Sequence, residues 1–360
     1  MKLKIGIDCQ STLGQKTGIG LYTLELLNAL RRVAPQHEYL ELNWGCDVVM
    51  RSDRRLRWQQ VELPRRAHAA RVDLLHVTGF DAPLWRPCPV ILTVHDVIGP
   101  LFPGNFPPIA RGYWAWWLPR SVRFADFVVS DSRNTKDDLL RLTKVPEARI
   151  RVVYPGVSPR FGPLPSPDLG ASIRHKYSLP SKYLLYVGTI EPRKGLSTLV
   201  AAYSRVSEHL CQDLVIAGKK GWYAQGLFDS VRTRGLGQRV HFPGYVADED
   251  LPDLYRNADL FVFPSTYEGF GLPPLEALAC GTPVICSDAA SLPEVVGDAA
   301  LLFPTGNEDA LATTIRETLE DGTLQRNLRR AGPEQARRFT WDETARQMIE
   351  VYGQVYENLH

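Results

Sequence analysis

Residues 260–288 read LFVFPSTYEGFGLPPLEALACGTPVICSD, and the succession of residue types in this stretch decides the fold. Leu260 to Phe263 form an apolar run of strand length that gives way to a polar loop. Pro273 and Pro274 then fit the first turn of a helix, where a missing N–H costs little. A helix is therefore expected from about Leu272, with Gly281 as its carboxyl-end cap before a second apolar run, PVICSD. Strand, loop, helix and strand in this order make a parallel βαβ unit.

The same alternation runs outward in both directions. In the first half the expected strands are KIGIDC, DLLHVT, PVILTVHD, DFVVSDS and RIRVVYPG, with helices over Gly18 to Arg32, Ile109 to Arg123 and Ser132 to Leu142. In the second half they are YLLYVGT, DLVIAG, VHFPGY, LFVFPS, PVICSD and ALLF, after which the chain reads as helix to its end. Between the halves lies YPGVSPRFGPLPSPD, whose prolines and glycines obstruct both ladders and helices and mark a linker. The expected class is α/β with two Rossmann-like domains, residues 1–160 and 161–340, and a closing helix over 341–360. That helix carries Ala345, Met348, Ile349 and Tyr352 at the spacing of one buried face, which by itself suits either domain.

With 360 residues, 44% hydrophobic and 23% charged, the chain is long enough for two cores. No window approaches the ~20 apolar residues of a membrane span, and MKLKIGIDC reads as a strand rather than a signal peptide, so a cytosolic protein is expected. Cys9, Cys46, Cys88, Cys211, Cys280 and Cys286 show no CxxC spacing, which gives no structural zinc pattern. The net charge of +2 divides unevenly: residues 1–160 hold 23 Lys+Arg against 15 Asp+Glu, the remainder 19 against 25. A basic first half suits anionic partners such as lipid-linked phosphates or a phospholipid surface. Nucleic acid is not expected, because no basic helix, RNP-like run or zinc-finger spacing accompanies the charge.

Open parallel sheets bind ligands beyond the carboxyl ends of their strands, so the residues after each apolar run carry the functional question. After KIGIDC, Gly18 and Gly20 open a helix where amides can approach an anion, or simply allow a tight turn and close packing. After PVILTVHD, His95 and Asp96 place an imidazole at a strand end; the bland alternative is a histidine held by a neighbouring carbonyl. After YLLYVGT, Arg193 and Lys194 sit just before a helix start and together suit a diphosphate without a metal ion. After VHFPG, Tyr245 and Val246 offer an apolar rest for a planar base. In the opening stretch, Gly269 and Gly271 permit close backbone approach, the amides of Phe270, Gly271 and Leu272 can hold phosphate or sugar oxygens, and Glu268 and Glu276 can each accept hydroxyl pairs. Dipole complementation alone accounts for Glu276 better than for Glu268.

Taken together, EGFGLPPLE, ACGTPVICSD and VGTIEPRKG, with GKKGW, GYVADEDL and the FTW helix, resemble the retaining family-four glycosyltransferases along almost the whole chain. The resemblance implies the GT-B arrangement, with parallel sheets facing across a central cleft, an acceptor-side first domain and a nucleotide-sugar-binding second domain. It implies that Arg193 and Lys194 bind the donor diphosphate, that Glu276 binds the ribose, and that Glu268 with the Phe270–Leu272 amides holds the transferred sugar. Tyr245 and Val246 would flank the base, Gly18 would touch the diphosphate, and His95 would meet a donor sugar hydroxyl. The closing helix would cross back to the first domain. Two departures stand out: the usual double glycine of the first loop is split by Ile19, and the frequent NGVD before the linker is PGVS here.

The function expected is transfer of a hexose with retention, mannose from GDP-mannose being favoured, to a glycan or polyprenyl-linked glycan during surface-polysaccharide assembly. No cofactor or metal is expected beyond the nucleotide-sugar donor. No carboxylate stands out as a covalent nucleophile, in keeping with front-face departure in which the leaving phosphate deprotonates the acceptor. UDP-glucose or UDP-N-acetylglucosamine as donor, and a sugar-nucleotide epimerase on the same fold, are the alternatives. In PPIARGYWAWWLPRSVRFADF, Tyr113, Trp114, Trp116 and Trp117 lie among Arg111, Arg120 and Arg123, a mixture that suits peripheral contact with the inner face of the plasma membrane. A buried aromatic helix is the bland alternative.

Overall fold

The computed structural model describes residues 2–14, 18–45, 52–79, 81–105, 108–163, 170–221 and 224–359. Cys46, Trp222 of GKKGW and residues 164–168 of the linker lie outside the described residues. Two compact units result, one comprising Met1–Gly156 and Phe339–His360, the other Val157–Arg338.

The first unit is built on six parallel strands: β1 (Lys4–Asp8), β2 (Glu38–Leu42), β3 (Leu74–Val77), β4 (Val90–Val94), β5 (Phe127–Ser130) and β6 (Ile150–Val152). Their order across the sheet is β2-β1-β3-β4-β5-β6, so the direction of winding reverses between β1 and β3. Strands β3, β4 and β5 are buried at every position, as parallel strands covered on both faces must be. β2 was not among the expected strands. It lies at the sheet edge and alternates exposed Glu38 and Glu41 with buried Tyr39 and Leu42, so it carries no apolar run to recognise.

Helix α1 (Gly18–Val33) and the closing helix Trp341–Leu359 share one core with the sheet. Ile5, Ile7, Leu26, Leu30, Trp341, Ala345, Met348, Val351 and Tyr352 are all buried in it. Tyr352 also reaches the middle of the sheet: its hydroxyl is 2.8 Å from His76 Nδ1, and His76 Nε2 is 2.8 Å from Thr93 Oγ1. Burial first, then the nearby His95 charge, pushes the His76 imidazole down to about 3, so it stays neutral. Two further helices, α2 (Pro108–Phe124) and α3 (Arg133–Thr143), flank β5; Ser132 caps α3 by accepting the Thr135 N–H at 3.0 Å.

The second unit has its own six parallel strands: β7 (Tyr183–Val187), β8 (Asp213–Ala217), β9 (Val240–Gly244), β10 (Leu260–Phe263), β11 (Val284–Ser287) and β12 (Leu301–Phe303), ordered β12-β11-β10-β7-β8-β9. Winding reverses between β7 and β10, which makes the carboxyl ends of those two neighbours the expected ligand crevice. Helix α4 (Leu196–Val206) follows β7 and α5 (Leu272–Ala279) follows β10. As the prolines predict, α5 starts at Leu272. It stops at Gly281, where the Gly281 N–H meets the Leu278 carbonyl at 2.9 Å and the Thr282 N–H meets Ala277 at 3.0 Å.

Met348 is fully buried while Gln354, on the same helix, faces solvent. Met348→Ala should lower the unfolding free energy by about 2–5 kcal/mol, whereas Gln354→Ala should change it by under about 0.5 kcal/mol. Urea denaturation of the two variants measures the difference.

Candidate functional site

At the winding reversal of the second sheet the chain leaves β7 through a single turn, Pro192–Lys194, and enters α4 at Gly195. Gly195 has φ +66, and a Cβ there would lie 2.0 Å from the Pro264 carbonyl oxygen, so only glycine lets this turn press against the end of β10. That contact aligns the two loops: the Arg193 carbonyl accepts the Thr266 N–H at 2.8 Å and the Thr266 hydroxyl at 3.0 Å.

The side chains then converge on Glu268. Its Oε1 is 2.7 Å from Lys194 Nζ, 3.1 Å from Arg193 Nη1 and 2.5 Å from Ser265 Oγ. All three charged side chains are only 11–12% exposed. Burial alone would raise the Glu268 carboxyl, but Lys194 and Arg193, with the hydrogen bonds from Lys194 and Ser265, outweigh it and hold the group below the usual carboxylate range. Arg193 is fixed further by the Tyr267 carbonyl at 2.6 Å and by Glu191 Oε1 at 2.5 Å. Ser291 pins the loop from the far side, donating to the carbonyls of Glu268 at 2.9 Å and Phe270 at 2.7 Å.

Helix α5 opens with Gly271 at φ +117. Pro273 and Pro274 have no N–H, and the Leu275 N–H goes to the Gly271 carbonyl at 3.3 Å. The amides of Gly271 and Leu272 are thus the donors at this helix start.

Glu276 occupies a different electrostatic setting one helix turn beyond. Its Oε2 accepts the buried Tyr255 hydroxyl at 2.8 Å. Burial is the dominant influence and Asp248 adds to it, against the Tyr255 hydrogen bond and the charge of Arg160, so the carboxyl is pushed up to about 7. Asp248 also accepts the Tyr245 hydroxyl at 3.2 Å, which links the 245–248 loop to Glu276. Tyr245 is 46% exposed with Lys219 Nζ 5.2 Å from its ring centre, and Val246 is buried beneath.

In the first unit the expected residues separate. Gly18 has open space where a Cβ would stand, whereas a Cβ at Gly20 would lie 2.2 Å from the Ser11 carbonyl oxygen, so close packing explains Gly20. His95, expected at the mouth of a cleft, is 12% exposed and held by the chain on both ring nitrogens. Its Nδ1 is 2.6 Å from Asp131 Oδ2 and its Nε2 is 2.8 Å from the Thr78 carbonyl oxygen, so both nitrogens are engaged by the chain. Burial acts to lower this imidazole, but Asp131, Thr78 and Asp96 together raise it, which favours an imidazolium donating in both directions.

On the aromatic helix α2 the expected membrane residues divide into buried and exposed. Trp117 is only 7% exposed and cannot meet a surface; Tyr113 turns its hydroxyl to Asp81 at 2.5 Å, Trp114 packs against Gly99, and Arg123 donates to the Thr143 carbonyl at 2.6 Å. Trp116, 55% exposed with the Arg120 guanidinium stacked 3.9 Å from its ring centre, is what α2 displays outward, beside exposed Arg111. No helix among the described residues is long and apolar enough to cross a membrane.

Glu191, Ser265, Tyr255, Ser291 and Asp131 all hold the expected residues in place and were not foreseen. Ser265 and Asp131 directly follow apolar strand runs, so position could have flagged them, but their partners are visible only in three dimensions.

Comparison with known proteins gives the family and the fold. Residues 172–335 match the family model described as glycosyl transferases group 1, and residues 17–161 match that of glycosyltransferase family 4. The O-antigen chain mannosyltransferase B of Escherichia coli is 34% identical over 93% of this chain and 96% of its own length. Among solved structures, sucrose-phosphate synthase from Thermosynechococcus elongatus superposes with a TM-score of 0.79 at 24% identity, covering 99% of this chain and 100% of that one. Anabaena HepE in complex with UDP and glucose superposes with a TM-score of 0.76 at 19% identity, covering 98% of this chain and 100% of that one.

The raised Glu276 carboxyl has a stability consequence. A folded-state value of about 7 lies above the ordinary 4.5, so the unfolded chain releases this proton first and stability falls as pH rises from about 4.5 to 7. Glu276→Gln removes that slope; its stability relative to wild type should grow across the same window, by up to about 3 kcal/mol, measured by urea denaturation between pH 5 and 8.

Proposed function

The chain belongs to glycosyltransferase family 4, and from that premise we propose that it transfers mannose from GDP-mannose, with retention, to a glycan or lipid-linked glycan in surface-polysaccharide assembly. The observation that carries the proposal is the buried convergence of Arg193, Lys194 and Glu268 at the winding reversal of the second sheet. Two cations held at 11–12% exposure against one carboxylate form a preorganised place for added negative charge. The donor diphosphate takes Arg193 and Lys194 as its partners and receives hydrogen bonds from the Gly271 and Leu272 amides at the start of α5. Glu268, relieved of part of its cation contact, accepts hydroxyls of the transferred sugar. Glu276, steadied by Tyr255, accepts the ribose hydroxyls, and Tyr245 with Val246 borders the base. Mannose is favoured because the Escherichia coli relative that matches 93% of this chain is named a mannosyltransferase.

In this scheme the leaving phosphate, neutralised by Arg193 and Lys194, receives the acceptor proton as the new bond forms on the face the phosphate departs from. The enzyme supplies positioning and charge rather than a nucleophile, and no resident cofactor or metal takes part. Exposed Trp116 and Arg111, with half-buried Arg120 stacked on Trp116, bring the first unit to an anionic membrane on the cytoplasmic side, where a lipid-linked acceptor would lie.

Incubation with GDP-mannose, UDP-glucose and UDP-N-acetylglucosamine, with and without a mannosylated acceptor, tests the scheme. Acceptor-dependent release of GDP is the expected result. Release of UDP instead would move the donor assignment, and sugar interconversion without acceptor would show an epimerase. Lys194→Ala should lower kcat by at least about 100-fold while the fold persists, because Arg193 and Ser265 still satisfy Glu268; turnover near wild type would refute the clamp.

Ribose binding also sets a pH dependence. Ligand hydroxyls favour the ionised Glu276, so GDP-mannose affinity should rise about tenfold from pH 6 to 8 and level off above, as judged by calorimetry. In Glu276→Gln the profile should be flat.

A further inference from the structure

The charges at the winding reversal of the second sheet do not end with Glu268. Arg193 and Lys194 bring two positive charges, and two carboxylates lie against them, Glu268 and Glu191. The four formal charges cancel. A diphosphate that enters this group meets net attraction only if one carboxylate gives up its cation.

The two carboxylates are held very differently. Glu268 Oε1 has Lys194 Nζ at 2.7 Å, Arg193 Nη1 at 3.1 Å and the Ser265 hydroxyl at 2.5 Å, and its side chain is 12% exposed. Glu191 is 27% exposed, and among the described residues its one ion pair is with Arg193 Nη2, at 2.5 Å. The main chain beneath it is fixed: the Glu191 carbonyl accepts the Lys194 N–H at 3.0 Å, and the Ile190 N–H donates to the Lys219 carbonyl at 2.9 Å. Rotation of the Glu191 side chain therefore breaks one ion pair and moves no backbone. Turning Glu268 away would break three contacts and strand a buried charge.

The Arg193 fork divides in the same way. Its Nη1 is committed to the Tyr267 carbonyl at 2.6 Å and to Glu268, while its Nη2 meets Glu191. A phosphate oxygen that replaces Glu191 Oε1 on Nη2 exchanges one charge-assisted hydrogen bond for another, and Nη1 keeps the fork in orientation. The displaced carboxylate, the most exposed of the four charged groups, passes to water.

We propose that Glu191 is an exchangeable counter-ion. It braces Arg193 before the donor arrives, yields Nη2 to the diphosphate, and pairs with Arg193 again as the product nucleoside diphosphate leaves. Glu191 is thus a positioning residue that acts through Arg193 and limits how tightly product is retained. This role rests on the reading of Arg193 as a diphosphate ligand given above.

Glu191→Gln keeps an oxygen for Nη2 and removes the charge, so the sign of its effect separates two roles. A residue that only braces Arg193 weakens nucleotide binding when it is altered, whereas loss of a competing counter-ion tightens it. GDP titrated calorimetrically into the full-length protein should bind Glu191→Gln about fivefold more tightly than wild type. Its inhibition constant against the donor should fall by the same factor, and guanosine, which has no phosphate, should bind both proteins equally. A thermal midpoint confirms the fold, and Glu191→Ala takes the place of Glu191→Gln if that variant does not fold. Equal or weaker GDP binding by the folded variant would overturn the counter-ion role. UDP is titrated in parallel, and a wild type that prefers it moves the donor assignment while the same comparison, with the same expected sign, is read on UDP. A wild type that transfers mannose while the variant shows no tighter binding sinks only the counter-ion. One whose nucleotide affinity rises in the variant but which transfers nothing sinks only the function, and a wild type that binds neither nucleotide sinks both.

Discussion

The second unit depends on a single carboxylate shared by two cations. Glu268 is buried, and burial alone would make its charge costly; Lys194 and Arg193 keep it ionised, and it keeps them in place. Every feature around this triad serves its geometry. Gly195 lets the β7 turn touch the end of β10, Ser265 and Ser291 fix the loop that carries Glu268, and Glu191 with the Tyr267 carbonyl orients the Arg193 fork. The triad carries a formal charge of +1, two cations against one carboxylate, and Glu191, paired with Arg193, offsets it.

Glu276 shows how the same side chain acquires a different character eight residues later. It faces one tyrosine hydroxyl instead of two cations, and its carboxyl rises where that of Glu268 falls. One glutamate is therefore charged throughout the neutral range and the other is poised within it. The two positions differ in what surrounds them, and the surroundings come from different strands: β7 supplies the cations of the first, while the stretch between β9 and β10 supplies Tyr255 and Asp248 to the second.

Much of this was legible in the sequence because parallel α/β folds write their sites at strand ends. The prolines at 273 and 274 placed the start of α5 near Leu272, where it lies, and the Arg193–Lys194 pair drew attention by its place between a strand end and a helix start. What stayed hidden has physical reasons. β2 lies at an edge and alternates with charge, so it lacks the apolar run of its neighbours. Trp116 and Trp117 are adjacent in a helix with aromatic residues on several faces, and periodicity cannot say which one turns inward; in the structure Trp117 is buried and Trp116 exposed. The partner that holds His95, Asp131, lies 36 residues later in sequence, just after β5, and so was not visible from the strand end that flagged the imidazole. The sequence left Gly20 open between anion approach and close packing, and the Ser11 carbonyl that demands a glycine there belongs to a turn whose path only the fold reveals.

The closing helix has a consequence for synthesis. It completes the core of the first unit, and its entry is fixed beside the exit to the second: Thr344 donates to the Tyr154 carbonyl at 2.7 Å, and the Trp341 amide lies where a Cβ on Gly156 would stand. The second unit is thus an insertion between two adjacent points of the first, and its folded ends meet with little loop-closure penalty. On the ribosome, the unit begun first must finish last. Until residues 341–359 emerge, the face of α1 that carries Leu26 and Leu30 remains uncovered, and the nascent first unit must wait while the second folds.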